Sequence, residues 1–435
     1  VKCDGCRAMR ILADALGVSG GQNMPGCRGR HPHLRSFDEG CDRQMKTLLL
    51  GASNSWFSIS LSALSIPTDA AGLAKVVEQN WTALGKAKSL EGLEAIVGAM
   101  QSVGQLQDLI GYELPKIWEA MGTLSRIAQK RAQGENEADN PRDLKTPEWE
   151  IFATTTAFTG PDPDWQLRPI PPPADFTDIF ERVILAERLR EVRGLIGFTR
   201  IQSPGDFTDS GEVPPEFRAP LSRQHSTWIP AMEVRGEGIF LHFKETTLQA
   251  WEQRDVIQQR HIQVKEAHKN WLNQRNPDLV DVIPCPDMRY LLLHSFAHAL
   301  MRQFALECGY NAASLQERIY AHMATPERPA QGGVLIYTTA PDSEGTLGGL
   351  VSLGAERLNY HIHQALEALQ ICASDPLCAD HSPVDDRVSL HWAACHACLF
   401  SPETSCERGN KFLDRALLIP TLSQEDACLF TAAIS

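Results

Sequence analysis

No stretch of these 435 residues is apolar for long enough to cross a bilayer. The best run, from Leu48 to Ile66, is broken by Asn54 and six serines. The first residues are not expected to be a leader either, since they carry Lys2, Asp4 and Arg7 with no apolar core behind them. Basic charge is short: 41 Lys and Arg stand against 54 Asp and Glu, a net charge of -13. A free-standing nucleic-acid binder usually has the opposite balance, so the surface as a whole does not point to DNA. Internal repeats and low-complexity segments are absent. Nucleotide-hydrolysis motifs are lacking too. The turn Glu344-Gly345-Thr346-Leu347-Gly348-Gly349 could hold an anion on its backbone N–H groups, but it has no Lys-Ser/Thr pair. It reads as a tight strand-to-helix turn.

What is present is ordinary globular composition, 43% hydrophobic and 22% charged, in a chain long enough for two or three domains. Cysteine is the unusual ingredient. There are twelve, and nine fall within residues 3–41 and 372–406. Clustered cysteine in a large chain without a leader reads as metal binding rather than disulfides, and predicts a cytoplasmic protein. The first residue is Val and Cys3 follows almost at once, the look of a sequence that starts inside a longer protein. Charge is uneven: residues 1–50 hold eight basic against five acidic side chains, leaving -16 for the rest.

The pattern predicts an α+β or α/β multi-domain chain: a zinc-knuckle N-terminal module, a helical middle and a C-terminal α/β zinc-binding domain. The expected boundaries are 1–67, Cys-rich with strands; 68–147, helical with a linker; 148–284, mixed; and 285–435, zinc-binding. Residues 48–66 suit strands. Residues 71–131 are periodic in the helical sense, with Leu73, Val76, Val77 and Trp81 on one face. Polar, Pro-containing linkers fall at 134–147 and 161–173. Trp149 to Phe158 is β-like. Phe176 to Arg193 reads as an amphipathic helix, followed by a strand from Gly197. Residues 227–243 are strand-like and 246–271 helical. Asp287 caps a helix from Met288 to Cys308 that is apolar nearly all round and stops at Gly309. A short helix over 313–322, a buried strand over 333–339, a helix over 350–372 and a short helix over 411–418 complete the expectation.

Two cysteine groups carry the chemistry. Near the C-terminus, Cys372 and Cys378 precede the pair Cys395-x2-Cys398, and Cys406 follows. A C-x2-C pair presents two thiolates on one turn, as tetrahedral zinc requires. Five thiols compete for four places. The preferred set is Cys378, Cys395, Cys398 and Cys406, with Cys372 as substitute or packed thiol. His381, His391 and His396 lie nearby, and His396 is expected to point away. Four closed ligands make a structural rather than a catalytic metal. The N-terminal group is Cys3-x2-Cys6 with the singles Cys27 and Cys41, against which His31 and His33 compete. Arg28, Arg30 and Arg35 surround Cys27 and are the candidate DNA contacts. His294 and His298, four apart on one helix face, have the spacing of metal ligands. The zincin pattern needs Glu after the first His and Ser295 stands there, so both read as core residues. The competing reading is a metal-dependent hydrolase that uses them with Asp342 and Glu344.

The strings HSFAHALMRQFALECGYNAASLQERIY, GGVLIYTTAPDSEGTLGGLVSLG and CASDPLC…AACHACLFSPETSCERGNKFLDRALL together resemble the C-terminal domain of the DrmB family. That family belongs to the DISARM bacterial anti-phage defence system, and a similar domain closes the MrfA-like DNA-repair helicases. LLLGASNSWFSISLSALSIP, ERLREVRGLIGFTRI and WIPAMEVRGEGIFL resemble the same family. The resemblance implies zinc bound by the cysteines at 372–406. It also matches Cys3, Cys6, Cys27 and Cys41 to a family Cys-rich region. Family members usually carry a further N-terminal portion with more cysteine pairs. The implied partner is a DrmA-like Swi/Snf-type helicase. The expectation is thus a non-catalytic zinc-binding subunit of a DISARM complex that meets DNA mainly through its partner.

Overall fold

The structure is a computed structural model. It describes residues 30–37, 56–66, 76–125, 143–156, 164–200 and 203–430, with 32, 78, 107–108, 111, 116, 119–120, 123–124, 208–212, 215–216, 225–227, 276, 310, 326–327, 339–348, 387 and 422–423 excepted. The chain divides into two compact units, Val1–Leu64 with Trp149–Ser435, and Ser65–Glu148.

The smaller unit is helical. Its main helix, α1 (Leu90–Ser102), starts at Ser89, whose hydroxyl accepts the Gly92 N–H at 3.1 Å. Leu93 and Val97 face a small apolar core with Val77, Leu84, Ile117 and Met121.

The larger unit is built on a sheet. A two-residue ladder joins β1 (Arg30–His31) to β2 (Ser36–Phe37). The main sheet contains β3 (Phe57–Leu64), β4 (Gln166–Ile170), β5 (Phe180–Thr199), β6 (Ala231–Phe243), β7 (Leu315–His322) and β8 (Gln331–Thr338). Its order is β3-β5-β6-β8-β7, with β4 also paired to β5, and every pairing is antiparallel. The fold is therefore α+β rather than a parallel α/β unit. One helix, α2 (Lys145–Thr154), sets Trp149 and Phe152 on the sheet, the latter stacked 4.7 Å from Phe240. Helices α3 (Glu245–Glu252), α4 (Asp255–Arg275), α5 (Met288–Cys308) and α6 (Gly349–Gln370) complete the unit. Helix α5 packs on β7, β8 and α6, while α6 packs on β5 and β6.

Several expected elements are corrected. Phe176 to Arg193 is not a helix but most of the 20-residue strand β5. Its charges are answered across the sheet. A bulge at Glu187 brings that carboxylate 2.5 Å from both Gln166 and Arg168, and Arg190 reaches Asp164 at 3.0 Å. Residues 313–322 are likewise mostly strand β7, and the β-like Trp149 segment is helix α2. In each case pairing or packing on the sheet overrides local preference. The polar 246–271 stretch is two helices, broken at Gln253 and Arg254. The expected helix at 411–418 is only a 3-10 turn, Arg415–Leu417. Helix α5 keeps its expected bounds, ending at Gly309 in the left-handed conformation at φ 67°.

Candidate metal centre

Just past α6 the chain folds back on itself and places four thiols together. Cys372 and Cys378 come from the turn after the helix, and Cys395 and Cys398 from the C-x2-C turn. Their sulfur atoms all lie within 4.8 Å of one another. Cys372 is 3.4 Å from Cys395, Cys378 is 3.6 Å from Cys398, and Cys395 is 3.7 Å from Cys398. A sulfur tetrahedron around zinc, with bonds of about 2.3 Å, has edges of about 3.8 Å. The thiols are free. The backbone N–H of Ser374 points at Cys372 Sγ and that of Cys395 at Cys398 Sγ, at 3.4 and 3.2 Å. Such donors favour thiolate. The Cys378 contact holds the Cys398 thiol down at about 5, against the effect of burial, while the same contact holds Cys378 up. A cation among these sulfurs replaces the shared proton.

Distant residues hold the geometry. Arg415, almost fully buried, donates to Asp375 and to the Leu369 carbonyl at the end of α6. Asp375 in turn accepts the Cys372 and Ala379 N–H groups at 3.2 and 3.1 Å. This clamp folds the Cys372–Cys378 turn toward the C-x2-C pair. From α5, Arg302 donates to the carbonyls of Ala397 and Phe400, both at 3.0 Å.

The preferred ligand set is thus corrected: Cys372 stands in the tetrahedron and Cys406 does not. Cys406 is grouped instead with side chains of α5 and β7, 3.1 Å from His294 Nε2. The nearby histidines stay outside the thiol group. His381 stacks on His391 at 4.3 Å, and His396 packs edge-on to Phe400 at 5.0 Å.

His294 and His298 lie on the buried face of α5, as expected, but their acidic neighbour is Glu317 of β7. Its Oε1 is 3.0 Å from His294 Nε2 and 3.5 Å from His298 Nε2. Burial lowers the affinity of both imidazoles for protons, but Glu317 and Cys406 outweigh it, raising His294 to about 9 and His298 well above its ordinary value. The histidines likewise outweigh burial at Cys406 and bring that thiol down to about 6. Asp342 and Glu344 lie outside the described residues, as do Cys3, Cys6, Cys27, Cys41 and Arg28. Arg30 begins β1, and Arg35 is exposed in the turn that follows, at φ 49°. Sequence reasoning missed Glu317 altogether.

The comparisons agree with the thiol cluster. The MrfA Zn-binding domain family matches residues 296–399. A family described as a domain of unknown function (DUF8724) matches residues 1–57. The donor set and this match make zinc the cofactor and define a zinc-binding protein with an MrfA-type domain. Over 99% of its length, the chain is 31% identical to the DISARM protein DrmB of Bacillus paralicheniformis, covering 74% of that protein. The chain belongs to the DrmB family. A crystal structure of the DUF1998 helicase MrfA bound to DNA aligns with 51% of this chain and 22% of its own, at 13% identity and a TM-score of 0.24.

Proposed function

We propose that this protein is a non-catalytic, cytoplasmic subunit of a DISARM phage-defence complex, in which a zinc-braced domain supports a DrmA-like helicase during recognition of foreign DNA. The observation that carries this reading is the closed four-cysteine set. Four thiols complete a zinc tetrahedron and leave no position for a reacting water. Among the described residues, no helix is long and apolar enough to cross a membrane, which is compatible with this placement. The hydrolase alternative loses support from burial. His294 and His298 are 0% exposed, so a substrate has no way to them.

Net charge supports a reading in which the partner makes most of the DNA contacts. A chain of net charge -13 repels a polyanion overall. Arg28, Arg30 and Arg35 offer three phosphate contacts, which corresponds to a salt slope of about -3. The test is co-purification with the helicase, followed by salt titration of duplex binding with and without it. The expected result is a stable complex, with weak, shallow-slope binding by the subunit alone and much tighter binding by the complex. Tight, steep-slope binding by the isolated chain contradicts the assignment. So does ATPase, nuclease or peptidase activity of the isolated chain that is lost in Glu317→Gln.

A further inference from the structure

We propose that His294, His298, Glu317 and Cys406 form a second metal site, one that takes zinc with two nitrogens, one oxygen and one sulfur and is structural rather than catalytic. One ring nitrogen of each histidine, a Glu317 carboxylate oxygen and Cys406 Sγ all lie within 4.8 Å of one another. Zinc bonds to these atoms are about 2.0–2.3 Å, so the edges of such a tetrahedron are about 3.3–3.6 Å. The observed separations of 3.0, 3.1 and 3.5 Å fit around one small cation.

The surroundings are those of ligands rather than of packed side chains. His298 Nδ1 is 2.9 Å from the Leu399 carbonyl. Nδ1 therefore donates to that carbonyl and Nε2 faces the quartet, the orientation metal-bound histidine uses, with the metal displacing the proton that Glu317 and Cys406 otherwise favour there. Yet His298 Nε2 meets Glu317 only as an ion pair at 3.5 Å, and neither it nor the buried Glu317 Oε2 has a hydrogen-bond partner among the described residues. Buried polar atoms are nearly always satisfied, and a cation at the centre of the quartet answers these. Cys406 Sγ receives the N–H groups of Arg408 and Asn410 at 3.4 and 3.2 Å, in a turn where Gly409 and Asn410 both have positive φ. That is a second backbone nest for a thiolate. His294 and Cys406 lie outside the segment 296–399 matched by the zinc-domain family, so this quartet is separate from the four-cysteine site. The side chains of both histidines and of Glu317 are 0% exposed, so no open ligand position faces solvent. The ion would tie α5, β7 and the C-terminal turn together.

The test is metal analysis of the full chain by mass spectrometry. Cys406→Ser and His294→Gln should each lose one zinc per chain while retaining the metal lost in Cys395→Ser/Cys398→Ser, and the combined variant should lose both. An unchanged zinc count in a folded Cys406→Ser chain overturns the proposal. If the variants do not fold, cadmium-113 NMR decides on a chain carrying Cys3→Ser and Cys6→Ser, with nitrogen-15 labelled histidine. One resonance coupled to two imidazoles is expected; only all-sulfur resonances overturn the site. Loss of the four-cysteine metal alone leaves this inference untouched, and the reverse also holds.

Discussion

Arg289 shows how far one residue can matter in a helix that otherwise reads as apolar. It is 1% exposed and bridges Glu245 and Glu252, at 2.8 and 2.7 Å, while also donating to the Gln331 carbonyl at 3.2 Å. Removing one member of a buried ion network strands the others. Because Glu245 still reaches water, Arg289→Met should cost about 3 kcal/mol, the lower end of the range for such losses, read as a drop in the urea midpoint. Two other buried groups set an acid limit. Burial pushes His242 and His268 down to about 4, helped by Arg182 and Arg408 respectively. Both folded values lie below the ordinary imidazole value of about 6.5, so the unfolded chain takes up these protons first. Their contribution to stability is complete above pH 6.5 and is lost as pH falls toward 4. His268→Phe should therefore flatten the fall in urea midpoint between pH 6.5 and 4, relative to wild type; an identical profile contradicts the assignment. At the metal centre, the C-x2-C pair was legible from spacing alone. Position favoured Cys406 over Cys372, and the opposite choice is made by Arg415 and Asp375, which are distant in sequence from each other. Glu317 gave no local signal, since its segment was expected to be helical.

At the scale of elements, legibility followed burial. Helix α5 and strand β8 are apolar on nearly every face, and their patterns leave little alternative. Strand β5 carries Glu and Arg at helix-compatible spacing. Its strand character comes from partners on both edges, β3 and β4 on one side and β6 on the other. No window of sequence contains those partners. The contact of α6 with this sheet is close enough to test. A Cβ on Gly354 would sit 2.8 Å from both Ile239 Cδ1 and Leu185 Cδ2. Gly354→Val should force α6 away from β5 and β6 and cost about 1–3 kcal/mol, measured as a lowered thermal midpoint. A midpoint equal to wild type would show that the helix does not rest on the sheet there.

On the scale of the whole molecule, the larger unit draws strands from residues 57–64, 166–199, 231–243 and 315–338 into one sheet. Its C-terminal turns then close on metal. This long-range assembly was the least legible part of the sequence, whereas zinc itself was readable from cysteine clustering. The central claim is that the thiols of Cys372, Cys378, Cys395 and Cys398 hold a structural zinc that braces the C-terminal domain. Zinc content and limited proteolysis of Cys395→Ser/Cys398→Ser, measured beside wild type, test it most directly. The account predicts one zinc fewer per chain and rapid cleavage within residues 285–435. A double variant that keeps its full zinc content and wild-type protease resistance would contradict it.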